Sequence, residues 1–156
     1  MGTLTNPNVA DKIIDFQKNE VLPFLEQKIT EQGYSFFEYT LGHFPSGERL
    51  RHSTTDINDG RQSLGITNTL SFIVEGMNGK DSTHRIRERA MSQYETGKAF
   101  LNFAFMKTDT IVKLVNTKRQ ALTNKKPGDS AAIRMDHFDG EKPLHFPLKS
   151  VKTGKD

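Results

Sequence analysis

The spacing of apolar residues in the first part of the chain predicts a helix followed by a strand. In residues 8–33 apolar side chains recur at helical spacing, and Gly33 stands where a C-terminal cap belongs. Pro23 lies inside this pattern and is expected to kink the helix or split it in two. The aromatic-rich stretch at residues 34–41, YSFFEYTL, predicts a strand. The chain is therefore expected to open with an α-β unit.

A long polar segment and a short apolar run come next. Residues 42–60 are rich in Gly, Ser, Thr, Asn and Asp, which predicts a long loop of the kind that is often functional. Residues 71–74, SFIV, have the composition of a strand buried on both faces, and Glu75 follows at once. A carboxylate at the end of a buried strand costs free energy unless it is paired, hydrated or functional. Because ligands of open α/β sheets bind at the carboxyl ends of strands, Glu75 is a candidate site residue. A buried ion pair or a strand-end cap is the alternative.

The strongest helical pattern covers residues 81–108, with Ser82 or Thr83 as the expected N-cap. Most of its apolar residues lie near one stripe: Ile86, Ala90, Tyr94, Leu101, Ala104 and Phe105. Residues 108–122 are expected either to start a second helical segment or to continue this one. Residues 130–138 and 142–151 then look like two strands joined by a short connection.

This order of elements predicts an α/β fold, namely part of a three-layer α/β/α sandwich with a mixed sheet, followed by a short β tail. Residues 68–75 are expected to form an interior strand of that sheet, with the helix from about His84 packed across it. Two domains are expected: residues 1–122 as the catalytic-type part and residues 123–156 as the start of a β-rich extension.

Composition narrows the possible partners. The 156 residues include 34% hydrophobic and 26% charged residues, which fits one rather polar globular domain. The net charge is +3, and acids and bases alternate along the chain. Arg85, Arg87 and Arg89 are mixed with Glu88 and Glu95, which favours a solvated helix face over a nucleic-acid surface. No transmembrane run or signal peptide is visible, so neither a membrane nor nucleic acid is expected as a partner.

Self-contained catalytic motifs are absent from the sequence. The chain has no cysteine, which excludes disulfides, thiolate metal sites and a cysteine nucleophile. G-x-S-x-G, P-loop and G-x-G-x-x-G motifs do not occur, and no His-x-x-Glu or His-Glu-x-x-His spacing is present. The histidines are therefore interpreted as surface or loop residues: His43, His52, His84, His137 and His145.

Charged residues border the long loop. Arg49, Arg51 and Arg61 are interpreted as solvated or ion-paired side chains. The functional alternative is that one of them binds a carboxylate through two parallel hydrogen bonds. Asp56 and Asp59 are interpreted as loop-capping residues.

Taken in order, several of these features resemble the C-terminal part of the catalytic domain of carboxypeptidase A-like zinc metallopeptidases of bacterial type. The matching features are Gly60-Arg61, Leu64-Gly65, Asn68, the run from Ser71 to Glu75, and the Arg-rich start of the helix from about His84. The resemblance extends over about residues 8–107.

The resemblance implies an activity and a role for Glu75. In such peptidases zinc activates a bound water, and the glutamate at the end of this strand accepts the proton and passes it to the leaving amine. Glu75 matches that glutamate. The implied substrate is a peptide with a free C-terminus, whose carboxylate Arg61 could bind through two parallel hydrogen bonds. A structural ion pair of Arg61 with Asp56 or Asp59 is the alternative. The resemblance also allows a secreted or periplasmic location.

The chain departs from that family in its metal ligands. The family's His-x-x-Glu pair and later His have no counterpart here, and Gly76-Met77-Asn78 replaces the residues more usual after the glutamate. We therefore expect a C-terminal portion of a longer peptidase whose zinc ligands lie outside this chain. On that basis the isolated chain should be inactive and should bind zinc no better than an ordinary histidine-bearing surface. The alternative is a zinc-free relative that keeps the fold and binds peptide ends or serves a structural role.

Overall fold

Helices dominate the computed structural model, which describes residues 1–41, 51–76 and 80–135. Helix accounts for 52% and strand for 3% of the residues that the structure describes. The elements in chain order are α1 (Asp11–Phe16), a π-helical turn (Gln17–Val21), α2 (Leu22–Thr30), β1 (Thr40–Leu41), β2 (Arg51–His52), α3 (Gly60–Gly65), α4 (Ile86–Met106) and α5 (Thr108–Thr123). The expected α/β fold, part of a three-layer sandwich with a mixed sheet, is therefore wrong.

Strand pairing is confined to a few residues. β1 and β2 form a two-residue antiparallel pair, in which Thr40 lies opposite His52 and Leu41 opposite Arg51. The strand predicted at residues 34–41 is thus paired only at its end. Elsewhere in the described part of the chain there is one isolated bridge. Two strands of this length cannot form the middle layer of a sandwich.

The apolar run at residues 71–74 does not form the expected interior strand. Its backbone pairs through that single bridge, where Gly2 and Ile73 exchange hydrogen bonds of 2.9 and 3.0 Å. Phe72 packs against Phe100 of α4, with ring centroids 5.1 Å apart. Phe72 therefore packs against a helix and Val74 is 37% exposed, because apolar content alone does not determine whether a run pairs with neighbouring strands.

The first predicted helix is present, and a change of hydrogen-bonding pattern divides it. α-Helical bonding gives way to π-helical bonding at Gln17–Val21 and resumes at Leu22, with Pro23 in the first turn of α2. Proline has no N–H to donate to the preceding turn, so the backbone widens just before it. The predicted interruption at Pro23 is confirmed. Gly33 adopts φ 80° just after α2, which confirms it as the residue that ends this helix.

α4 confirms the strongest helical pattern but turns a different face inward. It begins at Ile86 rather than after Ser82 or Thr83, and the side chain of Asp81 caps the turn that precedes it. Its buried residues include Ala99 and Phe103. The apolar stripe identified in the sequence lies on the opposite, exposed side.

Two clusters of side chains form the core. Phe103 of α4 lies between Phe16 and Phe24, with ring centroids 6.0 and 5.2 Å away, and these contacts join α4 to the α1–α2 unit. A second cluster joins the first residues of the chain and α1 to α5: Leu4, Val9, Ile13, Leu114 and Val115. The segment that carries Glu75 is held between these helical units.

The described part of the C-terminal region contains no strand. α5 ends at Thr123, close to the predicted boundary between residues 1–122 and 123–156. Residues 124–135 contain turns and irregular backbone, so the predicted strand at 130–138 is wrong over its described residues. The rest of the predicted β tail lies outside the described residues. Within the described ranges, no helix has the length and apolarity needed to cross a membrane.

Candidate functional site

Glu75 lies in the wall of a cleft of about 680 Å³. The other walls come from Met1, the extended segment at residues 33–40 and the N-terminal half of α4. This volume falls within the range of about 300–1,000 Å³ that is usual for ligand pockets. Glu75 itself is exposed, so its carboxylate is available to a molecule in the cleft.

Arg61, the predicted substrate-binding residue, is buried behind this wall and only 4% exposed. Asp59 begins α3 by accepting hydrogen bonds from the backbone N–H groups of Arg61 (2.9 Å) and Gln62 (3.3 Å), which confirms it as a capping residue. Its Oδ1 also lies 3.6 Å from Arg61 Nε, so the structural ion pair with Asp59 that the sequence left as an alternative is present, at a distance too long for a hydrogen bond. Nε and Nη2 of Arg61 have no hydrogen-bond partner. Buried donors of this kind are costly, and an anionic acceptor would remove the cost.

Tyr39 connects the two predicted site residues. The Arg61 guanidinium carbon lies 5.9 Å from the centre of the Tyr39 ring, which is a cation–π distance. Burial raises the pKa of Tyr39, and the nearby Glu75 carboxylate raises that pKa further. Gly2 permits this arrangement because a Cβ there would overlap Arg61 Nη1. Glu75 and Arg61 thus both lie close to one tyrosine.

A salt bridge forms part of the opposite wall. Arg85, just before α4, bonds to Glu88 in the first turn of that helix. This bond raises the pKa of the Arg85 guanidinium and lowers the pKa of the Glu88 carboxyl, so both remain charged near neutral pH. Arg85 therefore has a carboxylate partner and is not an open anion-binding group.

Two buried glutamines hold the backbone around the site. Gln17 accepts from the Leu4 N–H (3.0 Å) and donates to the Ser71 carbonyl (3.1 Å), which ties the first residues to the segment that leads to Glu75. Gln62, next to Arg61, accepts from the N–H groups of Thr5 (3.2 Å) and Asn6 (3.1 Å). The cleft wall therefore rests on side-chain hydrogen bonds where a sheet was expected.

The described residues do not fit a zinc ion. Residues 1–41, 51–76 and 80–135 contain no group of three His, Asp or Glu side chains that could hold a metal. His84 Nδ1 accepts a hydrogen bond of 3.3 Å from the Lys80 backbone N–H. The other candidate positions lie outside the described residues or have side chains that are not described: His43, Arg49, Arg51, His52, Met77, Asn78, His137 and His145.

Comparison with known proteins identified no relative of this chain. No family model, no curated protein and no solved structure matches the chain. The function must therefore be inferred from the side chains around the cleft.

Three features of the site were not predicted from the sequence: Tyr39, Gln17 and α3. In the sequence Tyr39 stands out only as part of an aromatic strand, and nothing in its spacing points to Glu75. α3 did carry a signal, because Asp59-Gly60-Arg61-Gln62 matches the pattern of a capping box. That pattern predicts a helix start at the position where the structure places one.

Proposed function

We propose that this chain supplies the substrate-binding and proton-transfer side chains of a zinc-dependent carboxypeptidase. The observation that supports the proposal is that Glu75 and Tyr39 line one ligand-sized cleft, while the buried Arg61 guanidinium lies against the Tyr39 ring. One residue can accept a proton, and the other can bind a carboxylate. Both are needed to cleave a peptide next to its free C-terminus.

Glu75 acts as the general base in this proposal. Its carboxylate is exposed and lies close enough to Tyr39 to raise the pKa of that phenol. A water bound at the carboxylate lone pairs can then transfer its proton to Glu75 as it attacks the peptide carbonyl. Catalysis of this kind contributes about 10²–10⁴-fold to the rate.

Arg61 binds the terminal carboxylate of the peptide. The Arg61 nitrogens without acceptors, Nε and Nη2, are two donors of the same guanidinium, and such a pair can bind both oxygens of a carboxylate. Because Arg61 is 4% exposed, a neighbouring side chain must move before the carboxylate can reach it. Tyr39 is the side chain that lies against the guanidinium.

Zinc has to be held by residues other than those described. The side chains around Glu75 do not form a metal site, so the steps assigned to Glu75 and Arg61 involve only the side chains of this chain, water and the peptide. In this proposal the zinc ligands belong to another part of the intact protein.

A second candidate function is the binding of peptide C-termini without hydrolysis. The buried Nε and Nη2 of Arg61 favour it, because both lack a hydrogen-bond acceptor and a carboxylate ligand would supply one whether or not a peptide bond is broken. This candidate requires neither a metal nor a proton acceptor.

The test compares a peptide that has a free C-terminus with its C-terminally amidated form. Binding to this chain is measured by fluorescence anisotropy, and release of the last residue is followed by mass spectrometry with the intact protein that would carry the zinc ligands, with and without added zinc. Tighter binding of the free acid with release of its last residue supports the peptidase, and tighter binding without release supports the binding module. Equal binding of the two peptides would contradict both.

Two arginine substitutions are compared, one at Arg61 and one at an exposed control position. Arg61→Ala should weaken binding of the free acid and leave the amide unaffected, whereas Arg134→Ala, at an exposed position away from the cleft, should affect neither. Circular dichroism melting shows whether Arg61→Ala remains folded. If it does not, Arg61→Lys tests whether a single charge without the guanidinium fork is sufficient.

A further inference from the structure

The outer face of α4 is apolar and has no partner in the described chain. Tyr94, Leu101 and Phe105 are 62%, 75% and 83% exposed. They lie on the side of the helix opposite Ala99 and Phe103, which face the core. Large apolar side chains that follow one face of a helix usually mark an interaction surface.

Residues on this face repeat with the spacing of a helix-pairing seam. Small residues recur every seven positions at Ala90, Gly97 and Ala104, and large ones at Tyr94 and Leu101. Along the helix a small residue is followed four positions later by a large one, and the next small residue comes three positions after that. This is the spacing of the contact residues in a two-helix coiled coil. All five positions are exposed, and a Cβ at Gly97 would meet nothing within 4 Å. We call these five residues the α4 seam.

We propose that a second copy of this chain covers the α4 seam, with the two α4 helices antiparallel about a two-fold axis. In that arrangement Tyr94 of one copy lies opposite Ala104 of the other, and Leu101 lies opposite Gly97. Each large residue therefore faces a small one, which lets the helices approach closely and fill the space between them. A seam that complements itself is the requirement for a two-fold interface. This inference does not depend on the proposed peptidase function.

The exposed area fits a weak but specific dimer. An aromatic side chain presents about 150–250 Å², so Tyr94, Leu101 and Phe105 together expose on the order of 400 Å² per copy. Two copies would bury on the order of 800 Å² from these residues alone. This area lies below the range of about 1,200–2,000 Å² that stable interfaces bury, so the dimer should be weak.

Sedimentation velocity on the full chain over the micromolar range tests the proposal. The wild-type chain should pass from monomer to dimer as its concentration rises. Gly97→Leu fills the space that Leu101 of the other copy would occupy, and Leu101→Glu places a charge in the seam. Each should raise the dimer Kd at least about tenfold. Gly97→Leu also raises helix propensity and meets no neighbour, so the monomer should remain folded.

Met106→Glu is the matched control. Met106 is 60% exposed in the last turn of the same helix, nearly half a turn away from the α4 seam. The same change of charge there should leave the dimer Kd unchanged. A wild-type chain that stays monomeric, a larger assembly, or a dimer with an unchanged Kd in both seam variants would overturn the proposal.

Discussion

Gln17→Met should destabilise the chain because Gln17 joins the two backbone segments beside the cleft. Gln17 is fully buried. Its Oε1 accepts from the Leu4 N–H at 3.0 Å, and its Nε2 donates to the Ser71 carbonyl at 3.1 Å. Methionine has nearly the same length and flexibility, so the substitution removes both hydrogen bonds without leaving a large cavity.

The size of the effect follows from the two backbone groups that would lose their partners. Leaving a buried donor or acceptor unsatisfied costs about 1–3 kcal/mol each, so Gln17→Met should lower the free energy of unfolding by about 2–6 kcal/mol. A domain of this size is stable by about 5–15 kcal/mol in total, so the loss is easily measured. The Leu4 amide should also exchange its hydrogen faster than in the wild-type chain.

Urea unfolding followed by circular dichroism measures the change, and Gln27→Met provides the control. Gln27 lies in α2 and donates a hydrogen bond to Glu31 at the exposed surface, so its substitution should change the free energy of unfolding by no more than about 0.5 kcal/mol. A loss of less than about 1 kcal/mol in Gln17→Met would show that the Leu4 and Ser71 groups find other partners. The proposed role of Gln17 would then be wrong.

Two further predictions concern Glu75 and Tyr39. In the intact zinc enzyme, Glu75→Gln should lower kcat by about 10²–10⁴-fold with little change in Tm, because the amide keeps the size of the side chain and loses its basicity. A lower Tm with unchanged kcat would instead indicate a structural role. Folding raises the pKa of Tyr39 above its ordinary value of 10.0, so the folded chain binds this proton more tightly and loses stability as the pH rises above that value. Urea unfolding across this alkaline range should show a smaller decline in Tyr39→Phe, and an equal decline in both chains would contradict the assignment.

Local sequence signals determined where most helices form. Periodic apolar spacing predicted the α1–α2 unit, α4 and α5, and Pro23 and Gly33 predicted an interruption and an end. These signals act within a few residues of the backbone, so they do not depend on what the helix packs against. The capping role of Asp59 could be predicted for the same reason.

Which surface covers an apolar residue was decided only by the tertiary structure. The run at residues 71–74 has the content of a buried strand, yet Phe72 packs on α4. α4 carries apolar residues on two sides, and the structure buries Phe103 and leaves Leu101 exposed. Hydrophobic burial has no direction of its own, so periodicity shows that a face is apolar without showing what will cover it.

In the candidate site, too, some features could be predicted from the sequence and others depend on the tertiary structure. The sequence identified Glu75 and Arg61 as candidates, but their common neighbour Tyr39 depends on chain segments that are distant in sequence. Arg61 reaches the Tyr39 ring because Asp59 begins α3 and because Gly2, from the start of the chain, has no side chain in the way. Contacts between distant segments depend on how all the helices pack, and no local pattern of residues encodes them.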